Sequence, residues 1–281
     1  MGLPIDVSLI VIELTNKINK GKVLCLGKQV LGFKVRDLIN SKSNFRHNID
    51  ISVFDKIDLD IELTQELFFN TLGFKHVDTL DVDEYEGANI IFDLNQENIP
   101  EKLTNTYDFI YDGGTLEHVF NIGTALKSLS IFLKRDGVIC HMNPCNGYID
   151  HAFFQISPTL YFDYYLQNNF KILSSVIMEK SIGSKTLNIS QDLYRTYSPD
   201  FGIQKAIKGW IIFSAKKQND SLIFINPQQG YYLAKWESDK QKFYLVEKKF
   251  NFGNYFILRR LFYFIFNFPF LLKRTIIKWI K

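Results

Sequence analysis

The chain of 281 residues is short of the residues that mark several common classes of protein. It has three cysteines, Cys25, Cys140 and Cys145, with no C-x-x-C spacing among them. That excludes a disulfide framework and a Cys-based zinc site. Cys25 and Cys140 fall in apolar runs and read as small core residues. A reduced, cytoplasmic setting is the default expectation. There is no G-x-S-x-G, no H-E-x-x-H and no P-loop, so neither a serine-hydrolase elbow, a zincin helix nor a nucleoside-triphosphate cradle is expected, and no metal cluster is read. The opening "MGLPIDVSLIVIELTNK" has no basic leader region and no small-residue cleavage site, so no signal peptide is read. Val7 stands where myristoylation after Gly2 would want Ser or Thr. Neither an internal repeat nor a low-complexity tract is present. The net charge is only +3, which does not suit a nucleic-acid binder.

What the chain does have is apolar mass. Apolar residues make up 46%, aromatics 15%, and Phe alone occurs 26 times. That is enough for one large core, or one domain with an extension. Strand-like runs lie at 22–26, 76–82, 89–94, 107–112, 138–144, 170–178 and 210–215. Helical spacing is read over 5–19, 29–40, 61–74 and 123–137, with Gly73 and Gly137 as stops. Residues 115–120 resume without a breaker after Asp112-Gly113-Gly114 and read as a helix start. Strands alternating with helices predict a doubly wound α/β sheet, mostly parallel, with right-handed crossovers. Residues 219–249 change character, and "SLIFIN-PQQG-YYLAKW" with "KFYLVEKKF" suggests a small antiparallel unit. The division expected is therefore 1–218 and 219–281.

Three predicted strands end in acid: Asp81, Asp93 and Asp112. The first ends at Gly27. Open α/β sheets bind ligands at the carboxyl ends of their strands. Carboxylates in one crevice suit hydroxyls, amines and a cationic centre. Any one of them alone reads rather as a turn or helix cap, and it is the three on one edge that favour the crevice.

The stretch "YDFIYDGGTLEHVFNIGTALKSLSIFLKRDGVICHMNP" (107–144) resembles class I S-adenosylmethionine-dependent methyltransferases of the type 11 style, in the order "fDxv", "LEHv", helix, "LkpGG", strand. "EGANIIFDLN" (86–95) and "HAFFQISP" (151–158) are similar to segments of one sub-family. The resemblance covers roughly residues 20–215. It implies a seven-stranded, mostly parallel Rossmann-like sheet whose final strand runs antiparallel, followed here by a C-terminal extension. It implies S-adenosyl-L-methionine as cofactor and methyl transfer to an oxygen or nitrogen of a small-molecule or glycan acceptor. Such transfer needs alignment, and a proton acceptor when the nucleophile is a hydroxyl.

Residue by residue, the resemblance puts "VLCLGKQ" (23–29) at the loop that the family builds as acid-x-Gly-x-Gly-x-Gly. Of those positions only Gly27 is kept. Cys25 stands for the acid and Gln29 for the next glycine. Lys28 or Gln29 then fills the space or contacts the cofactor carboxylate. Asp81 is the candidate for the ribose hydroxyls, and Asp93 with Leu94 for the adenine amine. Asp112 with Gly113 would face the methionine end. An insertion near 41–60 is implied. His118 and His151 are the candidate proton-handling groups, with Glu117 in a packing role. Asn143, Asn146 and Tyr148, in the loop after the fifth strand, are candidate acceptor contacts; an ordered loop without ligand is the alternative.

The end of the chain, "YFILRRLFYFIFNFPFLLKRTIIKWIK" (255–281), carries six basic residues and no acid. Its uninterrupted apolar run is too short to span a bilayer, which needs about 20 residues. A basic, aromatic, amphipathic stretch suits peripheral contact with an anionic membrane at its inner face or a partner surface, with packing on its own domain as the alternative. Surface-polysaccharide building would fit such a location. A non-catalytic subunit that has lost cofactor binding is the competing reading, and a nucleotide-sugar transferase is a third. Oligomeric state is not legible.

Overall fold

A computed structural model describes residues 2–41, 49–179, 186–188 and 208–233. In chain order the elements are α1 (Ile5–Thr15), β1 (Lys22–Leu26), α2 (Val35–Ser41), α3 (Gln65–Thr71), β2 (His76–Asp81), β3 (Ile90–Ile91), β4 (Tyr107–Asp112), α4 (Ile122–Phe132), β5 (Leu133–Asn146), α5 (Pro158–Gln167), β6 (Phe170–Glu179), β7 (Thr186–Asn188) and β8 (Gly209–Lys217). They form a single sheet in the order β3-β2-β1-β4-β5-β8-β6-β7. The ladders from β3 to β5 are parallel. β8 slots between β5 and β6 and runs antiparallel to both. This is the doubly wound sheet with one reversed final strand that the resemblance implied. Its seven strands are joined by a short extra edge strand, β7.

The central strands are apolar on both faces because both are covered. Side chains alternate. Val23 and Cys25 of β1, Phe109 and Tyr111 of β4, and Val138 and Cys140 of β5 pack toward α1–α3. Leu24, Leu26, Ile110 and Ile139 face Leu126, Leu129 and Phe132 of α4 and the aromatic row Tyr161, Phe162, Tyr164 and Tyr165 of α5. Each such buried side chain stabilises the fold by about 1.5–3 kcal/mol. This two-sided packing holds the carboxyl ends of β1, β2 and β4 along one edge.

Several element boundaries differ from the spacing argument. The helix expected over 29–40 begins only at Val35. Residues 29–35 alternate buried and exposed with period two, so Leu31 and Phe33 are core while Val30 and Lys34 are out. Val30 bridges Gly2, and Lys34 bridges Glu62. That pairing also shortens the helix expected over 61–74, which starts after the Thr64 cap on the Leu67 N–H. The helix expected to reach Gly137 ends at Phe132. Its last carbonyls are taken by the Asn105 and Thr106 N–H groups, on Ile131 and Phe132. The buried Lys217 ammonium donates to the Ser130 and Leu133 carbonyls, at 2.9 Å each. Capping from outside stops the helix before its apolar pattern does. The strand expected over 89–94 is two residues long, because Asp93 Oδ1 accepts from the Asn95 N–H and closes a turn. The helix expected from 115 is a single 3₁₀ turn, Leu116–His118.

The stretch 49–60, where the insertion is implied, buries Ile49, Ile51 and Phe54 against α1–α3. Residues 219–233 form no strand. They lie along α5 instead. Asn168 exchanges two hydrogen bonds with the Ile225 backbone, Gln167 donates to the Gln228 carbonyl, and the Gly230 N–H donates to Asp163. This part of the expected second unit therefore packs on the sheet domain. The remainder, including the basic stretch 255–281, lies outside the described residues. No helix among the described residues is long and apolar enough to cross a membrane.

Candidate active site

Gly27, at the end of β1, adopts φ +69°, which glycine tolerates without strain. Its N–H donates to the Leu80 carbonyl at 2.8 Å, tying the loop to β2. A Cβ at Gly27 would stand 3.9 Å from Asp81 Oδ2 and 3.6 Å from Thr115 Oγ1. Gly27, Asp81 and the post-β4 turn are thus neighbours on one edge. Asp81 is half-buried, and its Oδ1 accepts from the Val82 N–H. Asp93 is also half-buried, with Oδ1 used by Asn95, and Leu94 is core.

The loop after β1 is held by side chains where a glycine-rich loop would rely on backbone freedom. Gln29 is 4% exposed. Its Nε2 donates to the Leu26 carbonyl at 2.7 Å and to the Gly27 carbonyl at 3.1 Å. Its backbone N–H donates to Gln65 Oε1, whose amide in turn donates to Thr79. Thr115 Oγ1 also donates to the Leu26 carbonyl. Gln29 Oε1 has no partner and presses on Gly113, where a Cβ would lie only 2.1 Å away. Gln29 therefore fills the gap between the ends of β1 and β4. The Lys28 ammonium pairs with Glu66 on α3.

Asp112 and Asn143 require correction. Both were expected to face ligand, and both are fully buried. Asp112 Oδ1 accepts from the Thr115 and Leu116 N–H groups, at 2.9 and 3.3 Å. Its Oδ2 accepts from Asn143 Nδ2 at 3.0 Å and lies 2.8 Å from His141 Nδ1. Asn143 also donates to Glu117 Oε2 at 2.8 Å and accepts from the Tyr161 hydroxyl. His141 stacks on Tyr161, with ring centroids 4.4 Å apart, and its Nε2 lies 2.6 Å from the Tyr165 hydroxyl. Every hydrogen-bonding atom of the Asn143 side chain is occupied. The network braces the turn after β4 from below, and hydrogen bonds to a buried charge contribute about 1.5–3 kcal/mol each.

Above that network lies a more open group. Glu117 is fully buried, and its Oε1 has no hydrogen-bond partner. Burial first, and the Asp112 charge second, push its carboxyl up to about 8, against the opposing Asn143 hydrogen bond. His151 Nε2 stands 3.9 Å from Glu117 Oε1, and the His118 and His151 rings are 5.3 Å apart. Burial first, and the His151 ring second, lower the His118 pKa. The Phe154 N–H donates to the Glu117 carbonyl at 3.1 Å, fastening the loop after β5 to the turn after β4. Tyr148 sits between His151, at 5.6 Å, and Trp210, at 4.8 Å. Asn146 closes the β5 ladder opposite Gly209. The structure thus brings together His118, His151 and Tyr148, while Asn143 lies beneath them.

Glu117, His141, Tyr161 and Tyr165 were not singled out as site-building residues. The signal for His141 was present: with Asn143 it places two polar side chains at i, i+2 in the otherwise apolar run 138–144. Elsewhere, a concavity of about 360 Å³ between α5 and residues 227–229 is lined by Ser157, Thr159, Leu160, Asp163, Pro227 and Gln229. None of the strand-end residues borders it.

No family model matches the chain, and no curated protein matches it either. Solved structures do. A methyltransferase from Mesorhizobium loti, S-adenosylmethionine-dependent, is 11% identical over 76% of this chain and all of its own, with a TM-score of 0.41. The Burkholderia thailandensis 1,6-didemethyltoxoflavin-N1-methyltransferase, solved with bound 1,6-didemethyltoxoflavin and S-adenosylhomocysteine, is 14% identical over 76% of this chain and 78% of its own, with a TM-score of 0.40. The [4+2]-cyclase SpnF is 11% identical over 76% and 80%, with a TM-score of 0.41.

Proposed function

We propose that the protein binds S-adenosyl-L-methionine along the ends of β1–β4 and transfers its methyl group to an oxygen or nitrogen of a small or sugar-containing acceptor. The observation that carries this reading is the single edge on which Gly27, Asp81 and the Asp112–Thr115 turn meet, in a sheet whose strand β8 runs antiparallel between β5 and β6. Asp81 has the position and the acceptor chemistry for ribose hydroxyls, and Asp93 for an exocyclic amine. The sulfonium needs no activation. Alignment and a proton acceptor suffice, and His118, whose cationic form burial disfavours, is the group with that chemistry at the rim. Tyr148, His151 and Trp210 form the wall against which an acceptor ring would lie.

Calorimetric titration with S-adenosylhomocysteine tests the reading. Wild type is expected to bind, and Asp81→Ala and Asp93→Ala to lose about tenfold or more, the cost of a hydrogen bond to a charged group. No binding at about 1 mM, or equal affinity in all three proteins, refutes it. The first of these results would favour the competing reading, a methyltransferase-fold subunit without cofactor, which the Gln29 side chain in the β1–β4 gap supports. For the stretch 255–281, whose six basic residues face no acid in sequence, we propose contact with an anionic membrane surface. Co-sedimentation with anionic but not neutral vesicles is expected, and equal partition into both refutes it.

A further inference from the structure

We propose that Glu117, His118 and His151 form a binding site for a divalent first-row transition cation, with its open positions turned toward the acceptor. One ligating atom from each of the three lies within 4.8 Å of the others. Glu117 supplies the decisive second observation. It is fully buried, yet its Oε1 has no partner and is aimed at the two imidazoles. A buried carboxylate oxygen without a hydrogen-bond partner is unfavourable unless a proton or a cation answers it. The His151 nitrogen, at 3.9 Å, is too far to do so as a hydrogen-bond donor.

The donor set is two imidazoles and one carboxylate, which suits zinc, cobalt, nickel or iron better than magnesium or calcium. Bonds of about 2.0–2.2 Å would require the three atoms to close by roughly an ångström. The two histidines are on the exposed rim and can turn, while Glu117 is fixed. The fixing is itself the kind of support that metal ligands receive. Asn143 holds Glu117 Oε2, Asp112 holds Asn143, and the Phe154 N–H on the Glu117 carbonyl keeps the His151 loop in place. Three protein ligands leave at least one position for an acceptor oxygen, whose hydroxyl pKa the cation would lower. That last role rests on the methyl-transfer reading; the cation site does not.

Tag-free full-length protein, stripped with chelator, is titrated with Co²⁺ alone at neutral pH, following heat and visible absorption. The expected result is one equivalent taken up with visible ligand-field bands. His118→Ala and His151→Ala, both at rim positions that the fold does not need, are expected to weaken uptake by more than about tenfold each, as is Glu117→Gln. Circular dichroism confirms that each variant is folded. No stoichiometric uptake by wild type, or uptake unchanged in the His118→Ala/His151→Ala double variant, overturns the proposal. The S-adenosylhomocysteine titration runs separately on metal-free protein. Cofactor binding without Co²⁺ uptake sinks the cation site alone, and Co²⁺ uptake without cofactor binding sinks the methyl-transfer reading alone.

Discussion

Gln29 and Gly113 make a pair whose coupling can be measured. Gly113 is not in the left-handed region, so replacing it by alanine tests space alone and not backbone strain. The new Cβ would lie 2.1 Å from Gln29 Oε1 and 2.6 Å from Tyr111 Cε1, both nearer than real Cβ atoms come. Overpacking of this kind costs about 1–3 kcal/mol. Gln29→Ala removes two hydrogen bonds to the Leu26 and Gly27 carbonyls. The Leu26 carbonyl keeps Thr115 as a donor, so the cost is set near 1–2 kcal/mol. In the double variant the carboxamide that blocks the new methyl is gone. The two losses should therefore fall short of additivity by about 1–2 kcal/mol. Part of the clash stays, because the Tyr111 ring does not move away. Urea unfolding of the four proteins, followed by far-ultraviolet circular dichroism, gives the cycle. Additivity within about 0.5 kcal/mol would refute the claim that Gln29 occupies the gap beside Gly113.

Asp112→Asn should be costly although it conserves shape. One amide oxygen cannot serve the four donors that now share the carboxylate, and the new NH₂ would confront two of them. A loss of about 3–5 kcal/mol, and a Tm lower by roughly 10 °C, is expected in calorimetry; an unchanged Tm would mean the carboxylate is not their acceptor. Lys217→Met should destabilise by about 2–4 kcal/mol by leaving the carbonyls at the end of α4 unpaired, and equal urea midpoints for variant and wild type would deny the cap. Burial lowers the Lys217 pKa to about 8. Between there and the ordinary lysine value the unfolded chain binds more protons than the folded one, so this residue's contribution rises with pH over that window. Wild type should gain on the Met variant from pH 8 to pH 10 by about 1 kcal/mol per pH unit, and a flat or falling difference would contradict the assignment.

The fold was legible because its main signals are local. Apolar runs such as Lys22–Leu26 and Tyr107–Asp112 are buried on both faces, and no other element type tolerates that pattern at that length. Helix ends were not legible, because they depend on distant groups. Lys217 and Asn105 stop α4, and neither is near it in sequence. The stretch 29–35 was misread because Leu31, Phe33 and Val35 satisfy spacings of two and of nearly four at once until a partner strand is known. Gly27 and Asp81 could be placed from strand-end logic, since strand direction fixes which end meets the crevice. Asp112 and Asn143 could not. A polar residue at a strand end gives no sign of whether it points up to a ligand or down to buried donors such as His141. The Glu117-His118-His151 cluster lay hidden for a related reason: it joins a turn after β4 to a loop after β5, which the Phe154–Glu117 hydrogen bond and the Phe120–Phe153 ring contact bring together.

β8 is synthesised after β5 and β6 but lies between them. Until residues 209–217 leave the ribosome, β5 and β6 each present an open edge with no neighbour on that side. Between the completion of β6 at residue 179 and that of β8 at residue 217, the nascent chain therefore carries two unpaired strand templates. Pairing them directly with each other would be a kinetic trap, and the chain must leave a slot one strand wide. Strand insertion across such sequence separations is slow and exposed to aggregation. The reversed strand between β5 and β6 is the last of the described strands to be synthesised, and chains truncated before residue 209 are expected to be substrates for chaperones and not partly working proteins.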